Sequence, residues 1–206
     1  MSEDIDFSNL TTEEIFIKAS EDENLILPAL AELAERTKDN IAIEMIGIFG
    51  RDCGEDIAEV ALDILSPLKK NERATEMIGL IGWKHGGKIA ERALTELAKR
   101  KGDEATSGIC VIGYTHGGEI AEMALDILAE RKGPWATNMI GTIVKTIAKT
   151  DAKNISELKK KAITILHNRA SSNMDGFGHI VQVEEEIIKN IPNRQIDLPP
   201  FNPEWN

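Results

Sequence analysis

The apolar positions of this chain repeat at a helical period, and blocks of them repeat again at a longer one. In "IAEVALDIL" the residues Ile57, Ala58, Ala61, Leu62 and Leu65 follow the spacing of a helix with one buried face, and Glu59 and Asp63 face away. The block upstream, "MIGIFG", is apolar on nearly all sides, as expected of a helix packed around most of its circumference. "MIGIFGRDCGEDIAEVALDIL" (45–65), "MIGLIGWKHGGKIAERALTEL" (77–97) and "GICVIGYTHGGEIAEMALDIL" (108–128) superpose without gaps, at offsets of 32 and 31 residues. Each copy predicts two helices joined by a short turn.

Weaker copies extend the array in both directions. "NLILPALAELAER" (24–36) matches the second half, with Leu30 and Leu33 beneath Leu62 and Leu65. "ATNMIGTIVKTIAKT" (136–150) matches the first half, and "ISELKKKAITIL" (155–166) supplies its second half after a lengthened loop. A helix near 11–20 opens with a Thr-Thr-Glu-Glu capping signature and completes the first unit. The pattern predicts about five helical hairpins within residues 1–190, with one last capping helix near 174–190. The tail 191–206 holds four of the seven prolines, so an extended Pro-rich segment is expected there, with Phe201 and Trp205 as anchors.

Two features of the repeat need a structural reason. A small-residue column, Gly47, Gly79, Cys110 and Gly141, lies inside the first helices, where each glycine costs about 1 kcal/mol relative to alanine. Close approach of neighbouring backbones is the expected compensation, and Cys110 fits as a core residue. The break at His85-Gly86-Gly87 reads as a helix–helix turn, with Gly86 left-handed at the end of one helix and Gly87 opening the next. Asn24 and Asp56 stand near the corresponding N-caps of other copies.

The hairpins, with "ATEMIGLIG" in one first helix and "IAERALTEL" in the following second helix, resemble the HEAT-like repeats of the phycobilisome-lyase type over residues 10–170. The resemblance implies an all-α, right-handed α-solenoid with the second helices lining one face. Members of that group include scaffolds, bilin lyases and a di-iron hydroxylase that acts on a lysine derivative. The aspartate such repeats often carry between helices is Gly-Gly here, and the adjacent His-Glu pairs of the hydroxylase are absent, since His85 and His116 each precede glycine.

Composition narrows the function. The formal net charge is -11, which argues against a nucleic-acid backbone footprint and favours a neutral or basic protein or peptide partner. Two cysteines, Cys53 and Cys110, make no disulfide framework. The acidic start has no signal-peptide pattern, and no apolar run approaches the ~20 residues of a membrane span. A cytoplasmic setting is therefore expected. No nucleophile–base–acid constellation is present, and no catalytic residue or cofactor is expected.

Four groups remain as candidates. Cys53, His85 and His116 share one column, but three repeats at ~8–10 Å per helix span too far for one tetrahedral metal, so no metal site is expected. Their simplest role is to cap helix C-termini. "WKHGGK" sets Lys84, His85 and Lys88 around a helix N-terminus, a weak anion-site pattern that its copy "YTHGGE" loses. Arg51, Trp83 and Tyr114 form an edge of the types enriched at binding hot spots. Glu59, Glu91 and Glu122, with Asp63 and Asp126, form an acidic ladder along the second helices. The reading is a scaffold binding through the acidic or the aromatic-edged surface. The alternative is an enzyme, or a small-ligand or metal carrier, using the His/Trp/Tyr edge.

Overall fold

A computed structural model describes residues 5–150 and 155–171 of the chain. The expected helix near 174–190 and the tail 191–206 lie outside them. The described backbone is all-α and contains no strand. The helices are α1 (Thr12–Glu21), α2 (Ile26–Glu35), α3 (Asn40–Asp52), α4 (Glu55–Leu65), α5 (Glu72–Lys84), α6 (Gly87–Ala98), α7 (Asp103–His116), α8 (Gly118–Glu130), α9 (Pro134–Thr150) and α10 (Ile155–Ser171). A 3-10 turn at Glu23–Leu25 joins the first two.

Local chemistry sets the helix starts. Thr11 and Glu14 form a reciprocal capping box on α1, as the Thr-Thr-Glu-Glu signature predicts. The side chains of Asp39 and Asn71 cap α3 and α5 by accepting from backbone N–H groups. The turn inside the hairpin differs in detail from expectation. Gly86 is extended (φ -86), and Gly87 is the left-handed residue at φ 53. In the next copy Gly117 and Gly118 are both left-handed, at φ 67 and 47. Asp56 is not a cap either: Gly54 holds the N-cap of α4 without a side-chain bond, and Asp56 lies in the first turn. Asn24 lies in the 3-10 turn that Asp22 caps.

The helices pack in two rows. Each odd-numbered helix from α1 to α9 contacts the next odd one, and each even-numbered helix from α2 to α10 contacts the next even one. Consecutive first helices are parallel and in register. Asn71 at the start of α5 donates to Asn40 at the start of α3 (3.2 Å), and His85 at the end of α5 reaches Gly50 near the end of α3 (2.9 Å). Between the rows runs the core. Its columns Ala61, Ala93, Ala124 and Leu65, Leu97, Leu128 are all fully buried, each leucine contributing roughly 1.5–3 kcal/mol.

Glycine sets the helix spacing at two levels. A Cβ on Gly79 would lie 3.3 Å from the Gly108 backbone, so α5 and α7 meet nearly main chain to main chain. A second column, Gly50, Gly82 and Gly113, faces the alanine column of its own hairpin. A Cβ there would lie 2.5, 2.5 and 2.6 Å from Ala61, Ala93 and Ala124. At Gly79 this is the compensation expected from sequence, whereas Gly47 makes room for the Met77 side chain rather than for a neighbouring backbone. The second column ties the two helices of each hairpin together.

Arginine clamps every unit but the second to the segment before it. Arg100 donates to the carbonyls of Leu65 (2.7 Å), Ser66 (3.3 Å) and Leu68 (2.9 Å) and to the hydroxyl of Thr75 (2.9 Å). Arg131 repeats this on Leu97, Arg100, Gly102 and Thr106, and Arg169 on Leu128, Arg131, Gly133 and Thr137. Arg36 reaches the carbonyls of Phe7, Ser8 and Leu10. Each arginine stands three residues after a core leucine (Leu33, Leu97, Leu128 or Leu166). In the second unit this position is Leu68, and the threonine position is the buried Ile43. Both polar partners are thus exchanged together for apolar ones.

Candidate interaction surface

The histidine column is built into the hairpin ends. α5 and α7 carry His85 and His116 at their C-terminal ends, and the in-register packing aims each ring at the preceding first helix. His85 Nε2 lies 2.9 Å from Gly50 O, and His116 Nε2 lies 2.9 Å from Gly82 O. A carbonyl only accepts, so Nε2 carries the proton in both. Gly50 and Gly82 lie in the last turns of α3 and α5, where carbonyls lack helical partners, so the histidines supply the missing donors across the repeat. This is the capping role expected from sequence, exercised on the neighbouring helix. Replacing His85 with alanine should cost about 1–2 kcal/mol in thermal or denaturant unfolding. Added zinc should leave the melting temperature unchanged, because no binding energy enters.

Cys53 does not complete a metal centre. Burial, then the charges of Asp52 and Glu23, push its thiol pKa up, which disfavours the thiolate that metals require. Among the described residues no group of three His, Cys, Asp or Glu side chains is arranged to hold a metal ion. Cys110 is buried, burial pushes its pKa up to about 12, and its Sγ points to Met139 O at 3.4 Å. It is a core residue, as expected. In "WKHGGK", Lys84 and Lys88 are exposed beside the α6 start, but the His85 ring is committed to Gly50. The three side chains therefore do not converge on one anion.

The aromatic column divides into three behaviours. Arg51 is held by Asp52 at 2.5 Å, and that hydrogen bond, helped by the nearby Lys84 and His85 charges, keeps the Asp52 carboxyl below its ordinary range. Tyr114 is half-buried against the core. Trp83, 40% exposed, is the member that projects.

The acidic ladder divides as well. Glu59 (α4), Glu91 (α6) and Glu122 (α8) are exposed and form no ion pair among the described contacts. Asp63 and Asp126 are exposed but paired, which narrows the expected ladder. Arg92 of α6 bonds Asp63 and also donates to Glu59 O at 3.4 Å. Lys161 of α10 bonds Asp126 at 2.8 Å and Glu122 O at 3.4 Å. The pairing has a readable signal: one column runs Val60, Arg92, Met123, Lys161, and another runs Asp63, Thr95, Asp126, Thr164. Wherever the first holds a cation, the second holds an aspartate one unit earlier. Such exposed pairs contribute about 0–1 kcal/mol each, so their main effect is to neutralise two of the ladder's five carboxylates.

The fold and this surface define an all-α protein of consecutively packed helical hairpins. No helix among the described residues is long and apolar enough to cross a membrane. Compared with protein-family models, curated proteins and solved structures, the chain matches none.

Proposed function

We propose that the chain is a HEAT-like repeat scaffold, a right-handed α-solenoid of about five hairpins, that holds a basic extended segment of another protein along its second helices. The observation that carries this reading is the spacing of Glu59, Glu91 and Glu122, three unpaired exposed carboxylates on successive helices of one row. Packed helices stand ~8–10 Å apart. An extended chain rises about 3.3 Å per residue, so every third residue advances about 10 Å. A segment with lysine or arginine at every third position therefore sets one cation on each glutamate. The net charge of -11 favours such a partner over nucleic acid.

The alternative, an enzyme or a small-ligand or metal carrier at the His/Trp/Tyr edge, has less support, because both histidine rings are spent on backbone carbonyls. The test is titration of a labelled peptide with lysine at every third position, followed by fluorescence anisotropy. Glu91→Lys and Glu122→Lys are each expected to weaken binding about tenfold or more, with His85→Ala neutral and added salt weakening all variants. Equal binding of a neutral peptide, or indifference to the charge reversals, contradicts the reading.

A further inference from the structure

The glutamate column has two unlike ends. Matched residue for residue, the second helices place Leu27, Glu59, Glu91, Glu122 and Lys160 at one position of α2, α4, α6, α8 and α10. All five are exposed, and the helices that carry them contact one another in that order. Leu27 is 53% exposed, whereas Leu30 and Leu33 of the same helix are fully buried. Its outward neighbours Pro28 and Ala31 are exposed and uncharged, in the columns that hold Arg92 and Asp63 further along. The charged pattern of the row therefore gives way to an apolar seat at α2. At the other end stands a cation, Lys160, with its Nζ 2.9 Å from Glu157. Between the ends the surface is acidic. Beside the three glutamates, Glu55, Asp56, Glu119 and Glu130 outweigh Lys88, the one cation of α4, α6 and α8 outside an ion pair among the described contacts.

The spacing of the column also restricts the conformation of what binds it. In a pleated strand successive side chains alternate, so residues three apart point to opposite faces. In a polyproline-II helix three residues make one turn of about 9.3 Å, so residues three apart share a face. That advance matches the ~8–10 Å between packed helices. Side chains that meet Glu59, Glu91 and Glu122 in turn therefore belong to a three-fold chain rather than to a strand.

We propose that the partner segment is a basic polyproline-II helix read in a single register, with cations three residues apart on Glu59, Glu91 and Glu122 and a large apolar residue one turn beyond them against Leu27. The proposal rests on the scaffold reading above, whose ladder it uses, and adds the conformation and the sequence pattern of the partner. The unlike ends fix the register. Sliding the segment one unit toward α10 sets a cation on Lys160 and the apolar residue on Glu59. Sliding it the other way sets a cation on Leu27 and leaves Glu122 bare. Each slip loses an attraction and adds a mismatch, so the column discriminates against its own misregistered states. The ordering cost is small, because polyproline II is already a major conformer of unfolded chains.

Fluorescence anisotropy of the full chain with four peptides of equal charge tests this. The first carries lysine at every third position with glycine spacers, and the second has proline spacers. The third and fourth add to the second a leucine three residues outside the lysines, before the first or after the last, which covers both chain directions. Proline spacers are expected to tighten binding about threefold or more over glycine by pre-organising the segment. Leucine at one of the two ends is expected to tighten it about fivefold further by burying apolar surface. Leu27→Ser removes the leucine gain and leaves the affinity of the first peptide unchanged. Leu27 is half-exposed, so folding is retained, which circular dichroism verifies. Proline spacers no tighter than glycine, no gain from leucine at either end, or a gain that survives Leu27→Ser overturns the proposal, even where Glu91→Lys still weakens the first peptide. A first peptide indifferent to Glu91→Lys instead sinks the scaffold reading, and this proposal with it.

Discussion

Replacing Arg100 with alanine is expected to lower stability by about 3–5 kcal/mol, the range for removing a buried charged partner, and the melting temperature by about 10 °C. The side chain is 3% exposed and holds four oxygens. Three belong to the end of the preceding second helix and the turn after it, where the backbone dipole is negative and a cation is favoured. No carboxylate accepts from the guanidinium. Burial pushes its pKa down, with Glu96 opposing. Its Nε is left without a partner, so the clamp is incompletely satisfied yet still holds two units together. Arg92→Ala makes the contrast. That arginine also bridges two units, but on an exposed surface, and its loss should cost no more than about 1 kcal/mol. Denaturant unfolding of the two variants side by side separates buried from exposed clasping.

The second large effect is expected at Gly82. A Cβ there would lie 2.5 Å from both the Ala93 Cβ of α6 and the Ile112 Cδ1 of α7. The Ala93 Cβ cannot withdraw without moving the α6 backbone, and the Ile112 end has only a fully buried surround to turn into. Gly82→Val should therefore cost about 3 kcal/mol or more, the upper range of overpacking. A bulky residue there also displaces the carbonyl that receives His116. Gly54→Ser is the matched control. Gly54 has nothing within 4 Å of a Cβ and an ordinary φ of -64, and it caps α4 without a side-chain bond. The serine should stabilise by a few tenths of a kcal/mol by supplying the missing acceptor. Thermal unfolding of both variants checks the pair. Equal effects would show that the glycine column is not set by packing.

The hairpins were legible in the sequence because burial imposes period 3.6 within a helix and because the same packing problem recurs at each unit. The columns at Ile57, Leu62 and Leu65 needed nothing more. The second glycine column was visible in "MIGIFG", "MIGLIG" and "GICVIG", but which neighbour it meets depends on how two helices cross, which periodicity does not encode. The turn glycines show the same limit. Both are permissive, and only the path of the chain decides that Gly87, rather than Gly86, is left-handed.

Charged residues were the least legible. Asp63 and Asp126 look like their neighbours Glu59 and Glu122, yet long-range pairs with Arg92 and Lys161 neutralise them. The arginine clamps at Arg36, Arg100, Arg131 and Arg169 look like ordinary surface charge at helix ends. Their signal is correlated: the buried threonine at 75, 106 and 137 accompanies arginine, and Ile43 accompanies Leu68. One copy that changes both partners at once is a stronger clue than either column alone.

That exchange also gives the sharpest test of the idea that the hairpins are equivalent modules, with equal positions meeting equal surroundings. Stability is measured for Arg100→Leu, Thr75→Ile and the double variant, which transplants the Leu68/Ile43 pair of the second unit into the third. Equivalence predicts that the double variant regains at least half of what Arg100→Leu loses, a coupling above the ~0.5 kcal/mol scatter of independent sites. Losses that simply add would show that the two positions do not share an environment from unit to unit, and the modular account would be wrong.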